Sequence, residues 1–466
     1  MNGVSTYSIL GAARSGLAVA ALLAREGAQV FVSDAKPSSS CGDAEERLRS
    51  LGVGYEFGGH SPRVLESSTL VLSPGVPDTI PIVAQARERG MAITNEIEIA
   101  AARCRAPIVA ITGTNGKTTT TELAGFIFRA AGRRTFVAGN VGVPFSEIVT
   151  QADEAGVVVL ETSSFQLEHI GTFKPKVAVI LNVTPDHMDR YPDFEAYREA
   201  KLRIAMNQDA GDALLYNADD AALADLPGRF RSRAIGFSIR REVPVGAFSR
   251  EGVMILRTPA GDAVREESVL PAAAIRIRGP HNLYNSMAAA LAARLMDVPA
   301  GTIARALQEF AGVPHRLEPV RELDGVRYVN DSKATNVDSL WYALSSFSEP
   351  IVLIAGGRSK KNVYDAVLPL IHERVKAAVL IGDAADEMEQ AFAAHTAIHR
   401  AGYSMENAVG IARSMAAPGD VVLLSPACAS FDMFNNYEHR GDVFKSLVNA
   451  LAPRSTEHAE VSPDHG

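Results

Sequence analysis

Short apolar runs recur along the chain, separated by longer stretches of mixed character. In residues 6–95 the runs YSIL, QVFVS, TLVLS and MAIT alternate with helical stretches, the first of which runs from GAARSG through Glu26. That alternation predicts βαβ units and a parallel sheet. Residues 96–106 read as a helical connector that ends before Pro107. A second α/β region opens at Ile108, with IVAIT, TFVAG, GVVVLE and VAVILN as strands. Residues 212–275 carry shorter strands and turns, and 281–310 form an Ala-rich helical region. Gly and Pro in AGVPHRLEPV (311–320) break the helix and read as a hinge. A third α/β region follows, with RYVND, IVLIAGG, AAVLIG and DVVLLSP. The pattern predicts three α/β domains over 1–95, 96–312 and 313–452, and a polar tail, 453–466, read as disordered.

Length agrees, because 466 residues exceed what one hydrophobic core supports. The chain is 47% hydrophobic and 21% charged, as expected of a globular protein. A net charge of −8 argues against nucleic acid or an anionic membrane as the main partner. Cys41, Cys104 and Cys428 lie far apart and form no C-x-x-C pair. That usage points to a reducing compartment without a disulfide framework. With no signal peptide and no uncharged apolar run of ~18 residues, the expected location is the cytoplasm.

The chemistry starts at IVAITGTNGKTTT, residues 108–120. A buried strand, a Gly/Thr turn and a helix make the layout of a phosphate-binding loop: Gly113, Thr114, Asn115, Gly116, Lys117, Thr118 and Thr119. Glycines let backbone N–H groups approach phosphate, and the helix offers its positive end. Lys117 can reach β/γ-phosphates, and the Thr118 hydroxyl can sit on Mg²⁺. The strict pattern opens with glycine, whereas Ile111 fills that slot, so a different loop shape is expected.

Glu161 ends the run GVVVLE, where an acidic residue can meet an ion opposite the loop; plain solvation is the alternative. His187 follows the run VAVILN and is flanked by Asp186 and Asp189. With a usual pKa of ~6.5 it is mostly neutral at pH 7 and able to ligate metal, but a polar loop role fits equally. Asp193 can cap a helix running to about Met206. At ~100° per residue, Phe194, Tyr197, Lys201, Ile204 and Ala205 share one face. Lys201 therefore lies in the apolar stripe, either snorkelling to water or pointing inward with a task. A protonated lysine repels Mg²⁺, so a metal role needs it neutral or modified.

GAARSGLAVAALL is close to a dinucleotide fingerprint, with Asp34 placed to accept from a ribose hydroxyl. Ala13 stands in the middle glycine position and crowds a pyrophosphate.

Together G-T-N-G-K-T-T (113–119), E-T-S-S-F-Q (161–166), N-V-T-P-D-H-M-D (182–189), the Lys201 helix, H-N-L-Y-N (281–285) and H-R (315–316) resemble the Mur ligases and their folylpolyglutamate synthetase relatives. D-S-K-A-T-N (331–336), G-G-R-S-K (356–360), S-P-A-C-A-S-F-D-M-F-N-N-Y-E-H-R-G (425–441), G-A-A-R-S-G-L-A and S-P-G-V-P (73–77) extend the resemblance over nearly the whole chain. These finer matches point to the member that joins D-glutamate to UDP-N-acetylmuramoyl-L-alanine. A D-N-P-R motif, which the ligase adding the third peptide residue carries, is missing from the third region.

The resemblance implies a Rossmann-like N-terminal domain, a P-loop-type central ATP-binding domain and a Rossmann-like C-terminal domain. It implies ATP-dependent amide formation in cytoplasmic peptidoglycan synthesis, by a monomer. One Mg²⁺ would be held near Thr118 and Glu161, and a second by His187 and a carbamylated Lys201. Lys117, Asn140, His187, Lys201 and Lys333 would be the catalytic set, with Asn140 near the γ-phosphate and the acceptor. Asn282 and Asn285 would approach the adenine, and Arg316 and Asp331 the ribose and phosphates. Ser15, Gly16, Asp34, Ser73, Pro74, Gly75, Asn140 and Ser163 would receive the UDP-linked acceptor. Thr335, Lys360, Ser430, Phe431 and Tyr437 would form the D-glutamate pocket.

On the residues alone, Lys333 and Lys360 also read as surface charges, Ser430 as a helix cap and Tyr437 as core packing. An NAD-dependent oxidoreductase built on the N-terminal unit is a second hypothesis, and it leaves the Lys117 loop without a task. A nucleotide-binding module without catalysis is a third.

Overall fold

The structure is a computed structural model that describes residues 5–454, apart from Val141, Asp189, Asp262, Lys360 and Lys361. The described chain forms three sheets in two compact units. One unit holds residues up to 277 together with 282–311; the other holds 278–281 and the chain from Gly312.

The first unit carries two sheets. Strands β1 Thr6–Leu10, β2 Gln29–Asp34, β3 Gly54–Phe57, β4 Thr69–Leu72 and β5 Ala92–Asn95 lie in the order β3-β2-β1-β4-β5, all parallel. The order reverses between β1 and β4, which opens a crevice at their carboxyl ends. The second sheet contains β6 Ile108–Thr112, β7 Thr135–Gly139, β8 Val157–Glu161, β9 Val177–Ile180, β10 Ala213–Asn217, β11 Arg233–Ser238, β12 Gly246–Arg250, β13 Val253–Ala260 and β14 Ala263–Pro271. Its order is β14-β13-β12-β11-β10-β9-β6-β8-β7. The strands β6, β8 and β9 are buried along their whole length, which is why they read as unbroken apolar runs. The antiparallel ladder β12-β13-β14 accounts for the short strands and turns of residues 212–275.

One continuous core runs under both sheets, from Ile9, Val32 and Val71 to Ala110, Phe145 and Leu160. Polar ties join the same two layers: Glu98 accepts from the backbone of Gly171, Thr172 and Phe173, and Arg103 pairs with Glu26 at 2.6 Å. Shared packing is why this part of the chain forms one unit although its patterning reads as two regions.

The second unit is a six-stranded sheet in the order β15-β16-β20-β17-β18-β19, with apolar layers on both faces. Its strands are β15 Glu318–Leu323, β16 Val326–Asn330, β17 Ile351–Gly356, β18 Val375–Ile381, β19 Ala397–Gly402 and β20 Val421–Leu424. β15 departs from expectation. The segment read wholly as hinge becomes an antiparallel edge strand from Glu318, and Pro319 is tolerated beside a register shift because an edge strand needs fewer donors. Residues 455–466 of the polar tail lie outside the described residues, and the backbone N–H of Arg454 donates to Asp324 at 3.0 Å. No helix among the described residues is long and apolar enough to cross a membrane.

Candidate active site

The phosphate-type loop lies between β6 and the helix Lys117–Ala130. Ile111 is a fully buried strand residue whose carbonyl accepts from Thr162 N–H, so the strand continues through the position where a longer loop would start. The loop is held from the side by N-V-T (182–184). Asn182 accepts from Asn115 N–H at 2.8 Å and donates back to Asn115 O at 3.1 Å. Thr114 Oγ1 donates to Thr184 O at 3.1 Å and accepts from Thr184 N–H at 3.0 Å. Gly116 is left-handed at φ 84°, and a Cβ there would meet Asn285 Oδ1 at 2.4 Å. Asn285 therefore abuts the loop, and it donates to Asn282 Oδ1 of the same helix at 3.2 Å.

Two lysines converge on this loop. Lys117 Nζ donates to the carbonyls of Gly113 and Thr114, both at 2.8 Å. Lys201 Nζ donates to Gly113 O at 2.9 Å and stands 4.4 Å from the centroid of the Tyr197 ring. Asp193 caps the helix Phe194–Leu202 by accepting from Ala196 N–H, as the pattern predicts. Of the predicted face, Tyr197, Lys201, Ile204 and Ala205 are buried. Lys201 is 1% exposed, which excludes snorkelling. Burial, and then the charge of Lys117, hold its pKa well below the usual lysine range.

Glu161 ends β8 at 2% exposure. Its Oε1 accepts from Asn140 Nδ2 at 3.0 Å; its Oε2 is buried with no hydrogen-bond partner among the described groups. An orphaned carboxylate oxygen in the interior is costly unless a cation meets it. His187 is left-handed at φ 57°, and its ring stands 4.9 Å edge-on from Phe165 and 6.2 Å from Tyr197. Its neighbour Asp189 lies outside the described residues. Among the described residues no three His, Cys, Asp or Glu side chains gather as a ready-made cage. The orphaned Glu161 oxygen and the Thr118 hydroxyl at the start of the loop helix are oxygen donors of the kind a hard cation takes, and His187 offers an imidazole nitrogen.

Ser163 caps the short helix Ser164–Leu167 through a capping box with Gln166. The motif E-T-S-S-F-Q thus combines a strand-end carboxylate with the cap that turns the chain.

At the reversal of the first sheet the N-terminal motifs meet. Ser73 Oγ donates to Gly11 O at 3.4 Å, and Asp34 accepts from Ala12 N–H at 2.7 Å and from Lys36 N–H at 2.8 Å. Gly16 lies so close to the loop that a Cβ would come within 1.9 Å of Gly11 O. Ser15 is half-buried in the first helical turn, and Pro74 and Gly75 continue the turn after Ser73.

In the second unit Asp331 follows β16, buried, accepting from Ser425 Oγ at 3.0 Å and Leu317 N–H at 3.2 Å, with Arg316 4.0 Å away. Burial, partly offset by Arg316, pushes its carboxyl up to about 6. Lys333 Nζ stands 5.4 Å from the centroid of Tyr437, and Lys333 N–H donates to His315 O at 3.0 Å. Ser430 is buried, whereas Phe431 is 65% exposed. Asn436, and not Ser430, caps the helix Tyr437–Ala450. Thr335 is half-buried in the loop after Asp331, and Lys360 lies outside the described residues.

Sequence reasoning passed over Arg440, whose guanidinium is fully buried. It donates to Ser332 Oγ at 2.9 Å, Ser332 O at 2.8 Å and Cys428 O at 3.1 Å, and so fastens the Lys333 loop to the Ser430 loop. Burial lowers its pKa to about 10. The signal was present in E-H-R-G (438–441), where an arginine follows one turn into a capped helix.

A phosphate-type loop whose Gly113 carbonyl accepts from both Lys117 and the buried Lys201, beside a neighbouring strand that ends in an orphaned carboxylate, defines a nucleotide-dependent α/β enzyme. The chain belongs to the Mur ligase family. It matches the MurD-like N-terminal domain over residues 5–95, the Mur ligase middle domain over 111–293 and the glutamate ligase domain over 315–428. It is 50% identical over 457 residues to the UDP-N-acetylmuramoylalanine–D-glutamate ligase of Salinibacter ruber, covering 95% of this chain and 97% of that one. It is 45% identical over 444 residues to the enzyme of the same name from Geotalea uraniireducens, covering 95% and 97%. Among solved structures, a pseudomurein peptide ligase type C from Methanothermus fervidus shares the fold at a TM-score of 0.58 and 18% identity, covering 96% of this chain and 99% of that one. The UDP-N-acetylmuramate–alanine ligase of Thermotoga maritima gives the same values.

Proposed function

We infer that the chain is an ATP-dependent ligase that joins D-glutamate to UDP-N-acetylmuramoyl-L-alanine in peptidoglycan precursor synthesis, acting in the cytoplasm as a monomer. The observation that carries the mechanism is the meeting of Lys117 and Lys201 at Gly113. A carboxylate is a poor electrophile and repels a triphosphate, so both must be neutralised and aligned.

The acceptor carboxylate attacks the γ-phosphorus, and the bond to the bridging oxygen breaks, releasing ADP and leaving an acyl phosphate. The D-glutamate amine, having lost a proton, then attacks the acyl carbon; the C–N bond forms and inorganic phosphate leaves. Lys117 exchanges its loop carbonyls for the β/γ-phosphates, and the loop N–H groups receive the rest. Asn140, oriented by Glu161, donates toward the acceptor. Mg²⁺, held by Thr118 and Glu161, supplies charge neutralisation of the phosphates when bound.

Lys201, buried and favoured as the neutral amine, is suited to add CO₂ and lose a proton, which yields an anionic carbamate. With His187 that group can hold a second Mg²⁺. Ser15, Gly16, Asp34, Ser163 and the Ser73–Gly75 turn receive the nucleotide-linked acceptor. Asn282, Asn285, Arg316 and Asp331 serve ATP. Lys333 serves the transferring phosphoryl group, and Thr335, Lys360, Ser430, Phe431 and Tyr437 serve D-glutamate.

The test is phosphate release from ATP and Mg²⁺ with UDP-N-acetylmuramoyl-L-alanine, offering D-Glu, L-Glu, L-Lys, meso-diaminopimelate and D-Ala-D-Ala separately. Release with D-Glu alone is expected. Release with a different amine would overturn the pocket assignment, and silence with every amine would overturn the reaction.

A further inference from the structure

Arg190 follows D-H-M-D directly, and Phe165 lies within E-T-S-S-F-Q, yet the chemistry above uses neither. The Arg190 guanidinium lies 3.9 Å over the Phe165 ring. Its Nη2 donates to Glu168 Oε2 at 3.0 Å, and its Nη1 donates to Pro74 O at 3.2 Å. Glu168 also accepts from the Tyr191 hydroxyl, and the Tyr191 ring stacks on Phe165. The edge of Phe165 meets His187. One planar group therefore joins the turn after β4, in the first sheet, to the wall of the His187 loop, in the second.

We propose that Arg190 is a positioning residue that sets the span between the nucleotide end of the acceptor at the Ser73–Gly75 turn and its reacting carboxylate at His187. This rests on the assignment of those two ends given above. The acceptor is one covalent molecule that must fill both ends at once. Its affinity then depends on how closely the separation of the ends matches its own length. A fork with two donors and a stacking face is needed, because one N–H must reach each sheet while the plane holds Phe165. A lysine can reach only one carbonyl or carboxylate and cannot stack in the same way.

The experiment is calorimetric titration of wild type, Arg190→Met and Arg190→Lys with UDP alone and with UDP-N-acetylmuramoyl-L-alanine, beside steady-state KM and kcat. UDP fills one end only, so its Kd should stay within about twofold, while the full acceptor weakens by about tenfold or more and kcat falls with it. The lysine variant, which keeps the charge, should resemble the methionine variant in acceptor binding and guards against a folding failure. Equal loss for UDP and full acceptor, or loss for neither, would overturn the proposal. The underlying assignment fails differently: wild type itself would then bind no UDP or release no phosphate with D-Glu.

Discussion

Lys201 Nζ donates to the carbonyl oxygen of Gly113, 88 residues earlier in the chain, across 2.9 Å. The bond puts a buried amine on the same carbonyl that holds Lys117. Two cations cannot both stay charged there without cost, and burial selects Lys201 as the neutral partner. Replacing Lys201 with alanine should cut D-Glu-dependent phosphate release at least about a hundredfold. If the working group is a carbamate, formate or acetate should restore part of the rate. A variant whose rate no short carboxylate raises would count against the carbamate.

Glu161→Gln keeps an oxygen for Asn140 and removes the charge. The fold should hold, with a stability change within about 1 kcal/mol. Wild type should melt higher with an ATP analogue plus Mg²⁺ than with the analogue alone. The variant should lose that Mg²⁺ increment in a thermal-shift titration. An increment of unchanged size would remove Glu161 from the metal site.

Gly116 cannot accept a side chain cheaply. Its φ of 84° and the 2.4 Å approach of Asn285 Oδ1 to a built Cβ both oppose one. Gly116→Ala should cost about 1–3 kcal/mol of stability and weaken ATP more than it weakens UDP. Parallel Kd measurements for the two nucleotides check the ordering.

Asp331 gives a pH signature. Its folded pKa of about 6 stands above the ordinary 3.8, so the native state binds the proton more tightly than the unfolded chain. Stability from this group is present below pH ~4, falls as pH rises toward 6, and stays lost above that. Asp331→Asn removes the dependence. The difference in unfolding free energy, variant minus wild type, should grow by about 2 kcal/mol between pH 4 and pH 7. Urea unfolding of both proteins across that range measures it, and a flat difference would contradict the burial argument.

Arg440→Met should strand the carbonyls of Ser332 and Cys428 and destabilise by about 2–4 kcal/mol. Because those loops carry Lys333 and Ser430, the KM for D-glutamate should rise more than the KM for the UDP-linked acceptor. Equal rises would reduce Arg440 to a packing role.

Local order made much of this molecule legible from sequence. Buried strands announce themselves as apolar runs, because both faces of a parallel sheet are covered. Asp193 announces its helix, because an aspartate cap satisfies N–H groups a few residues away. The apolar stripe through Tyr197, Lys201 and Ile204 put the lysine on the buried face by helical geometry and left its tertiary burial to decide between snorkelling and pointing inward, and the phosphate-type loop was readable because glycine, lysine and threonine act there as contiguous neighbours. Contacts between distant segments were not legible. Nothing near Lys201 in sequence names Gly113 as its acceptor, and nothing near Glu161 says that one oxygen is orphaned while Asn140 holds the other. Arg190 reaching Pro74, Arg440 reaching Ser332 and the single core beneath two sheets likewise exist only once the chain has closed on itself. Patterning is set by forces acting within a few residues, so composition and spacing carry it. Burial, shared carbonyls and the pKa values they cause depend on which remote segments exclude water from one another, and only the tertiary structure decides that.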